Sequence, residues 1–430
     1  MLICSNLDVE EPFVTRESSL LIDELNKINV NGGGDCPELA LTGLRNALEL
    51  ALPNSIAFVF TDASAKDYDR FDEVRAIMNK KQIRVYFLTT GDCGAEHLPE
   101  FQVYGKIGRV SGGQMFMIST DSITSILLEL AIILDSQFVT LASLDFEEAG
   151  SNVTTLVVDE SFDELMISMS GKKALLKIRD STGTVVSGTS KTKSSYSSDN
   201  IQIINFRVAD TIYTIESSAT SAYSIRVGGI SDLTFRFGFS QNGATNPEDT
   251  QIQPRDGSKN VLSIFASNPS AVKCLTHVAL MPVLESGIES EIMLKRVKND
   301  VFITEAFDVP EEMFMIKILG SDSSNNPIDR IISTGIDRSK RSIKCDQECG
   351  VVYEGKIPHK KYCSKYYECV QGIGYLSVCP GIQTFNSATN ECTDSASSIC
   401  LAEYECVWVL QSHLFLHLLE KIKFVTWMLS

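Results

Sequence analysis

Twelve cysteines are spread unevenly along the 430 residues: Cys4, Cys36, Cys93 and Cys274 are scattered over the first 340, and eight fall between Cys345 and Cys406. A stretch of about sixty residues cannot bury enough apolar surface to hold one structure unaided, so covalent staples or a metal must restrict its unfolded ensemble. Zinc is the rival explanation, but the region has no CxxC pair and only His359 before its last cysteine. Disulfides are therefore expected, and with them an oxidising compartment.

The remainder is long enough, at 43% hydrophobic residues, to bury more than one core. A formal net charge of -17 disfavours nucleic acid or an anionic membrane as partner, because a footprint on phosphates needs clustered Lys and Arg. The start, "MLICSNLDVEEPF", turns acidic too early for a signal peptide and conflicts with the cysteine usage. The far end, residues 407–430, is apolar but interrupted by Glu420, Lys421 and Lys423, so it reads as a loosely packed tail and no membrane span is expected. His413 and His417 stand one helical turn apart there, yet no Glu follows the first as a zinc HExxH helix requires.

Residues 1–140 alternate between helical and strand periods. Leu39, Leu44, Ala47, Leu48, Ala51 and Leu52 recur at helical spacing after Pro37, which suits a first helical turn, so a helix is expected to about Leu52. "SIAFVFTDAS" and "IRVYFLTTGDCG" are continuous apolar runs ending in Asp62 and Asp92, the pattern of buried parallel strands. Helices are expected over 67–80 and 121–134, with "QMFMIS" as a further strand. In such a sheet the loops at the carboxyl ends of the strands converge on one crevice, which brings Asp35, Asp62 and Asp92 near one another. Three carboxylates repel phosphate, and no Lys follows "NGGGDC" as a phosphate loop would need. Cys36 and Cys93 meet at the same rim, where a disulfide would tie the two loops.

"GGGDCPE", "FVFTDASAKDY" and "FLTTGDC", in this order and spacing, resemble the von Willebrand factor A domain of hemicentins, extracellular matrix proteins. The resemblance implies a metal-dependent adhesion site built from a DxSxS loop, a second-loop ligand and a third-loop Asp. Asp62 matches the third-loop Asp, and Asp35 stands where the second-loop ligand comes. No DxSxS occurs in residues 1–20, so a divalent cation is expected only if that first-strand loop is restored. The central first strand would be missing too, leaving a sheet edge that should be paired. Either the chain is N-terminally incomplete, which would also account for its start, or the domain has degenerated; incompleteness is the expectation.

Between residues 145 and 245, runs such as "TTLVVD", "LMISMS", "IQIINFRVA" and "LTFRFGF" alternate with turns every 8 to 15 positions, as in an antiparallel sandwich. "DESFDELMISMSG" and "YSIRVGGISDLTFRFGFS" resemble the region after the von Willebrand domain in hemicentins. A second set of strands over 252–336 suggests an immunoglobulin-like sandwich. Neither segment shows a nucleophile elbow or a metal-spaced His set. Lone Cys274 reads as a small buried hydrophobe, and Asn152 heads a glycosylation sequon.

In residues 345–406 six cysteines, 349, 363, 369, 379, 392 and 400, are separated by 13, 5, 9, 12 and 7 residues, which by spacing alone leaves fifteen pairings. That spacing, with "CSKYYEC" and "CPGIQTFN", resembles a peritrophin-A type chitin-binding domain. The resemblance implies the pairs Cys349–Cys369, Cys363–Cys400 and Cys379–Cys392. Chitin needs flat apolar faces for its sugar C–H surfaces and amides or hydroxyls for its N-acetyl groups; Tyr366, Tyr367, Tyr375, Phe385 and Asn386 are those types here, against the plainer reading in which one Tyr of the pair and Phe385 pack on disulfides. "CTDSASSIC" departs from the family in lacking the aromatic or Pro often found after the fifth cysteine.

The expected architecture is multidomain: a truncated α/β von Willebrand A-like sheet, two β-sandwiches, a linker over 337–344 and a small disulfide-rich chitin-binding module. Within the linker Arg338, Lys340 and Arg341 fit the R-x-K-R pattern of furin-type processing, against the plainer reading of an extended, solvated linker. The expected function is non-enzymatic: a secreted matrix or cuticle-associated protein that binds chitin, an N-acetylglucosamine polymer, and adheres to matrix or cell-surface proteins. The alternatives are the targeting region of a chitin-active enzyme, for which paired carboxylates in a cleft are wanting, and a matrix protein that binds another polysaccharide or a protein.

Overall fold

A computed structural model describes residues 14–15, 17–27, 36–255, 258–284 and 289–337, then 355–358, 365–370, 373–379, 383–386, 391–393 and 408–410. The first domain is a sheet between two helical layers. Its helices are α1 (Ser18–Leu25), α2 (Ala40–Leu50), α3 (Phe71–Lys81), α4 (Pro99–Ser111) and α5 (Ile123–Leu130), and its parallel strands β1 (Ile56–Thr61), β2 (Arg84–Thr89) and β3 (Gln114–Met117). Strand alternation sorts the core. Ala57 and Val59 face α2, α3 and α4 with Leu44, Val74 and Ile107, whereas Ile56 and Phe58 face α1 and α5 with Leu21, Ile126 and Leu130. Helix α1 has no counterpart in the sequence reading. Pro37, expected in the first turn of α2, instead precedes it and follows a cis peptide bond, because α2 begins only at Ala40.

Helix α2 has no local side-chain cap. Asp67, 26 residues further on and buried, accepts the Leu41 and Thr42 amide protons at 3.1 and 2.7 Å and the Thr42 hydroxyl at 2.7 Å. At the other end Lys81 Nζ donates to the carbonyls of Leu48, Glu49 and Ala51. Both ends of the helix dipole are thus met by charges of the opposite sign.

The next strands are β4 (Phe138–Phe146), β5 (Gly150–Val157), β6 (Phe162–Ser170), β7 (Leu175–Asp180), β8 (Thr192–Ser197), β9 (Ile201–Arg207), β10 (Ile212–Ala219) and β11 (Tyr223–Ser231). They form a sandwich with β5–β10–β7 on one side and β4–β11–β6–β9–β8 on the other. Its core holds Leu165, Ile167, Phe206, Tyr213 and Ile225. It starts at Phe138, inside the span read as the first domain. It also ends before "LTFRFGF": that strand, β12 (Phe235–Ser240), pairs antiparallel with β13 (Val261–Ala266) of the next domain. Periodicity finds a strand but cannot choose its partner.

The third domain continues with β14 (Val272–Pro282), β15 (Ser290–Lys298), β16 (Val301–Thr304), β17 (Phe314–Asp322) and β18 (Pro327–Ile331), in the spatial order β12–β13–β16–β15–β14–β17–β18 around a core that includes Leu262, Phe302 and Ile316. Cys274, expected inside, is exposed on β14, with its sulfur 3.2 Å from Ser321 Oγ. Ile331 of β18 pairs with Thr140 of β4, so one sheet runs through both sandwiches. The cysteine-rich module contributes a three-stranded sheet, β19 (Gly355–Pro358), β20 (Lys365–Val370) and β21 (Ile373–Val378), and a hairpin of β22 (Thr384–Asn386) and β23 (Glu391–Thr393). Residues 408–410 form β24 (Trp408–Leu410), antiparallel to β1 at its outer edge; the segment read as a loose tail thus supplies the partner that edge needs.

Three buried seams join the domains. Arg226 donates to the Gly113 carbonyl at 2.8 Å and pairs with Asp145, and Gln114 bonds Ser224 and Ser168. The Thr334 amide donates to Gln82 Oε1 and that of Gly335 to the Val110 carbonyl, while Arg75 meets Asp337 at 3.2 Å. Between the sandwiches, Arg330 Nη2 lies 2.5 Å from Asp159 Oδ2, with the two side chains 1% and 0% exposed.

Candidate carbohydrate-binding and adhesion sites

In the module, Tyr366 on β20 pairs with Pro358 of β19 and Ser377 of β21. Its half-buried ring stacks on Phe385, with centroids 4.5 Å apart and planes 18° apart. Phe385 is 6% exposed and pairs with Cys392 across the hairpin, and Cys392 is disulfide-bonded to buried Cys379. Phe385 was expected either at the sugar face or packed on a disulfide. It is buried against Tyr366 beside the disulfide, because a phenyl ring with no polar atom is most stable where the staple excludes water. Asn386, half-buried, comes next in the strand and pairs with Glu391. Tyr367 pairs with Ile357 and Leu376, and Tyr375 with Glu368; their side chains lie outside the described residues. Lys356, which sequence reasoning did not single out, holds its Nζ 5.1 Å from the Tyr366 ring centroid. The Cys349–Cys369 and Cys363–Cys400 pairs lie outside the described residues.

At the carboxyl end of the parallel sheet the structure joins Cys36 and Cys93, with Cα atoms 5.7 Å apart. Cys93 occupies the left-handed region at φ 56°, and the Ser64 amide points at its sulfur at 3.3 Å. Gly91 lies against Asp62 so closely that a Cβ would meet the Asp62 carbonyl oxygen at 2.2 Å, so only glycine allows these two loops to approach. Asp62 is exposed at this rim, and Asp92 accepts the Gly94 amide at 2.9 Å. Asp35 lies outside the described residues. Among the described residues no three His, Cys, Asp or Glu side chains come together as a metal site.

The remaining sequence candidates fall elsewhere. Asn152 sits half-buried on β5, and its amide nitrogen, the atom a glycan would take, donates to the Tyr223 hydroxyl at 2.7 Å. Arg338, Lys340 and Arg341 lie outside the described residues. Among the described residues no helix is long and apolar enough to cross a membrane.

Comparison with known proteins finds three family matches along the chain. Residues 5–120 match the von Willebrand factor A domain, 138–232 the hemicentin galactose-binding domain-like family, and 349–400 the chitin binding Peritrophin-A domain. The chain is 29% identical to Hemicentin-2 of Mus musculus over 331 residues, 75% of this chain, and 28% identical to Hemicentin-1 of Homo sapiens over 316 residues, 72% of this chain. It spans 6% of the length of each. Over 123 residues, 26% of this chain and 14% of the relative, it is 33% identical to von Willebrand factor A domain-containing protein 7 of Homo sapiens.

Proposed function

For a chain that carries a von Willebrand factor A domain, a hemicentin galactose-binding-like domain and a peritrophin-A chitin-binding domain, we propose a non-enzymatic role as an extracellular matrix or cuticle-associated protein. The small module anchors it to chitin, and the three packed domains ahead of it form the adhesive part, directed at matrix or cell-surface proteins. The observation that carries the reading is the Tyr366 platform: an aromatic ring backed on one side by buried Phe385, which the Cys379–Cys392 staple holds in place. A ring supported in this way offers a sugar its apolar face with little rotamer entropy left to lose on binding.

The test is retention of the full secreted, oxidised chain on chitin beads and its release by N-acetylglucosamine oligomers. Tyr366→Ala is expected to weaken retention about tenfold, the loss of one stacking contact and its buried area. Wild-type chain that washes through chitin would refute the function. Retention unchanged by replacing Tyr366, Tyr367 and Tyr375 together would refute the assigned face.

A further inference from the structure

We propose that Lys356 sets the grade of polymer the module accepts, favouring N-acetylated units and rejecting deacetylated, cationic ones. The inference rests on the chitin-binding reading above. Its basis is two contacts on one ring: Phe385 stacks on Tyr366 with centroids 4.5 Å apart, and the Lys356 ammonium lies 5.1 Å from the centre of that same ring. The strand register explains the placement. Pro358 is directly opposite Tyr366 and Lys356 opposite Glu368, so Lys356 and Tyr366 are diagonal neighbours, within reach for a long side chain.

With Phe385 against one side of Tyr366, a pyranose must approach the side that remains, and the Lys356 ammonium, on its four-carbon stem, is then its near neighbour. That group has three N–H donors and no acceptor. The acetamido group of N-acetylglucosamine offers it a neutral carbonyl oxygen to accept one of those hydrogens. The amino group of glucosamine, once protonated, is itself a donor-only cation and offers only like charge. Glu368, directly opposite Lys356 in the register, is the acidic neighbour against which the ammonium acts.

The chain's formal net charge of -17 would hold a polycation non-specifically, so competition at the chitin-occupied site is the suitable readout. The full secreted chain is loaded on chitin beads and released with oligomers of N-acetylglucosamine or of glucosamine, in an acidic buffer that protonates the free amines of the oligomer and in an alkaline one that leaves them neutral. In acid, release is expected to need about tenfold more glucosamine oligomer than N-acetylglucosamine oligomer, the scale of a like-charge contact at a partly exposed site. The gap should narrow in alkali. Lys356→Met, which keeps the stem and removes the charge, should close the acid gap to about twofold, and Lys356→Arg should preserve it. Equal release of the wild-type chain by both oligomers in acid, or an acid gap that survives Lys356→Met, would overturn the proposal while leaving chitin binding intact. A chain that never binds the beads would overturn both.

Discussion

Lys81 turns its ammonium back onto the carbonyls of Leu48, Glu49 and Ala51, and burial holds its pKa down at about 8. The folded value lies below that of an unfolded lysine, so between about pH 8 and pH 10 the unfolded chain binds the extra proton and stability rises with pH. Below about pH 8 the cost of burying the charge is present in full. The difference in Tm between wild type and Lys81→Met should therefore grow in favour of wild type from about pH 8 to about pH 10; a constant difference would show that the ammonium is not strained by its burial. Side chains of this sort escape a sequence reading because their partners are distant in the chain: Lys81 and Leu48 are 33 residues apart. Phe385 was legible as a ring that either meets sugar or packs on a disulfide, and the choice between the two was not. Composition identifies aromatic residues suited to a sugar, but which ring lies under the other is decided by the hairpin and its disulfide.

The elements of the α/β domain were legible where the hydrophobic period was long and unbroken. "SIAFVFTDAS" and "IRVYFLTTGDCG" contain β1 and β2, since a strand buried on both faces leaves a continuous apolar run. Helix α1 left a weaker trace: it is eight residues long, with no side-chain cap, no acid in its first turn and no base in its last to mark it. Helix α2 was legible as a helix, but its start was not, because the cap is Asp67. Asp67→Ala would leave the Leu41 and Thr42 amides without their acceptor and should lower the unfolding free energy of this domain by about 1–3 kcal/mol, with Asp67→Asn milder. Urea titration followed by a probe in the α/β domain measures it. An unchanged midpoint for the alanine variant would show that Asp67 does not hold the start of the helix.

In the whole molecule, the "DES" of "DESFDELMISMSG" is a joint. Asp159 faces Arg330, Ser161 accepts from the same guanidinium at 3.0 Å, and the Glu160 amide reaches Asp322 Oδ2. Breaking one half of a buried pair leaves the other charge stranded, so Arg330→Met should cost about 3–5 kcal/mol and uncouple the two sandwiches into separate calorimetric transitions. Pairing that variant with Asp159→Leu should restore much of the loss; a single cooperative transition in Arg330→Met alone would contradict the joint. Convertase cleavage after Arg341 would part the chitin module from this block. Non-reducing and reducing gels of wild type and Arg341→Ala decide it, and one full-length band in both, from cells with active convertases, excludes processing. The seam at 331–337 has a mechanical consequence. A pull on a module fixed in chitin reaches the block from both ends of the module: through β24, which pairs with β1, and at Asp337, where Arg75, the Gly335–Val110 bond, the Thr334–Gln82 bond and the Ile336–Phe314 pair oppose it. Ile336 and Phe314 belong to the core of the third domain, so tension in the matrix would bear at once on that core and on the edge and foot of the α/β domain.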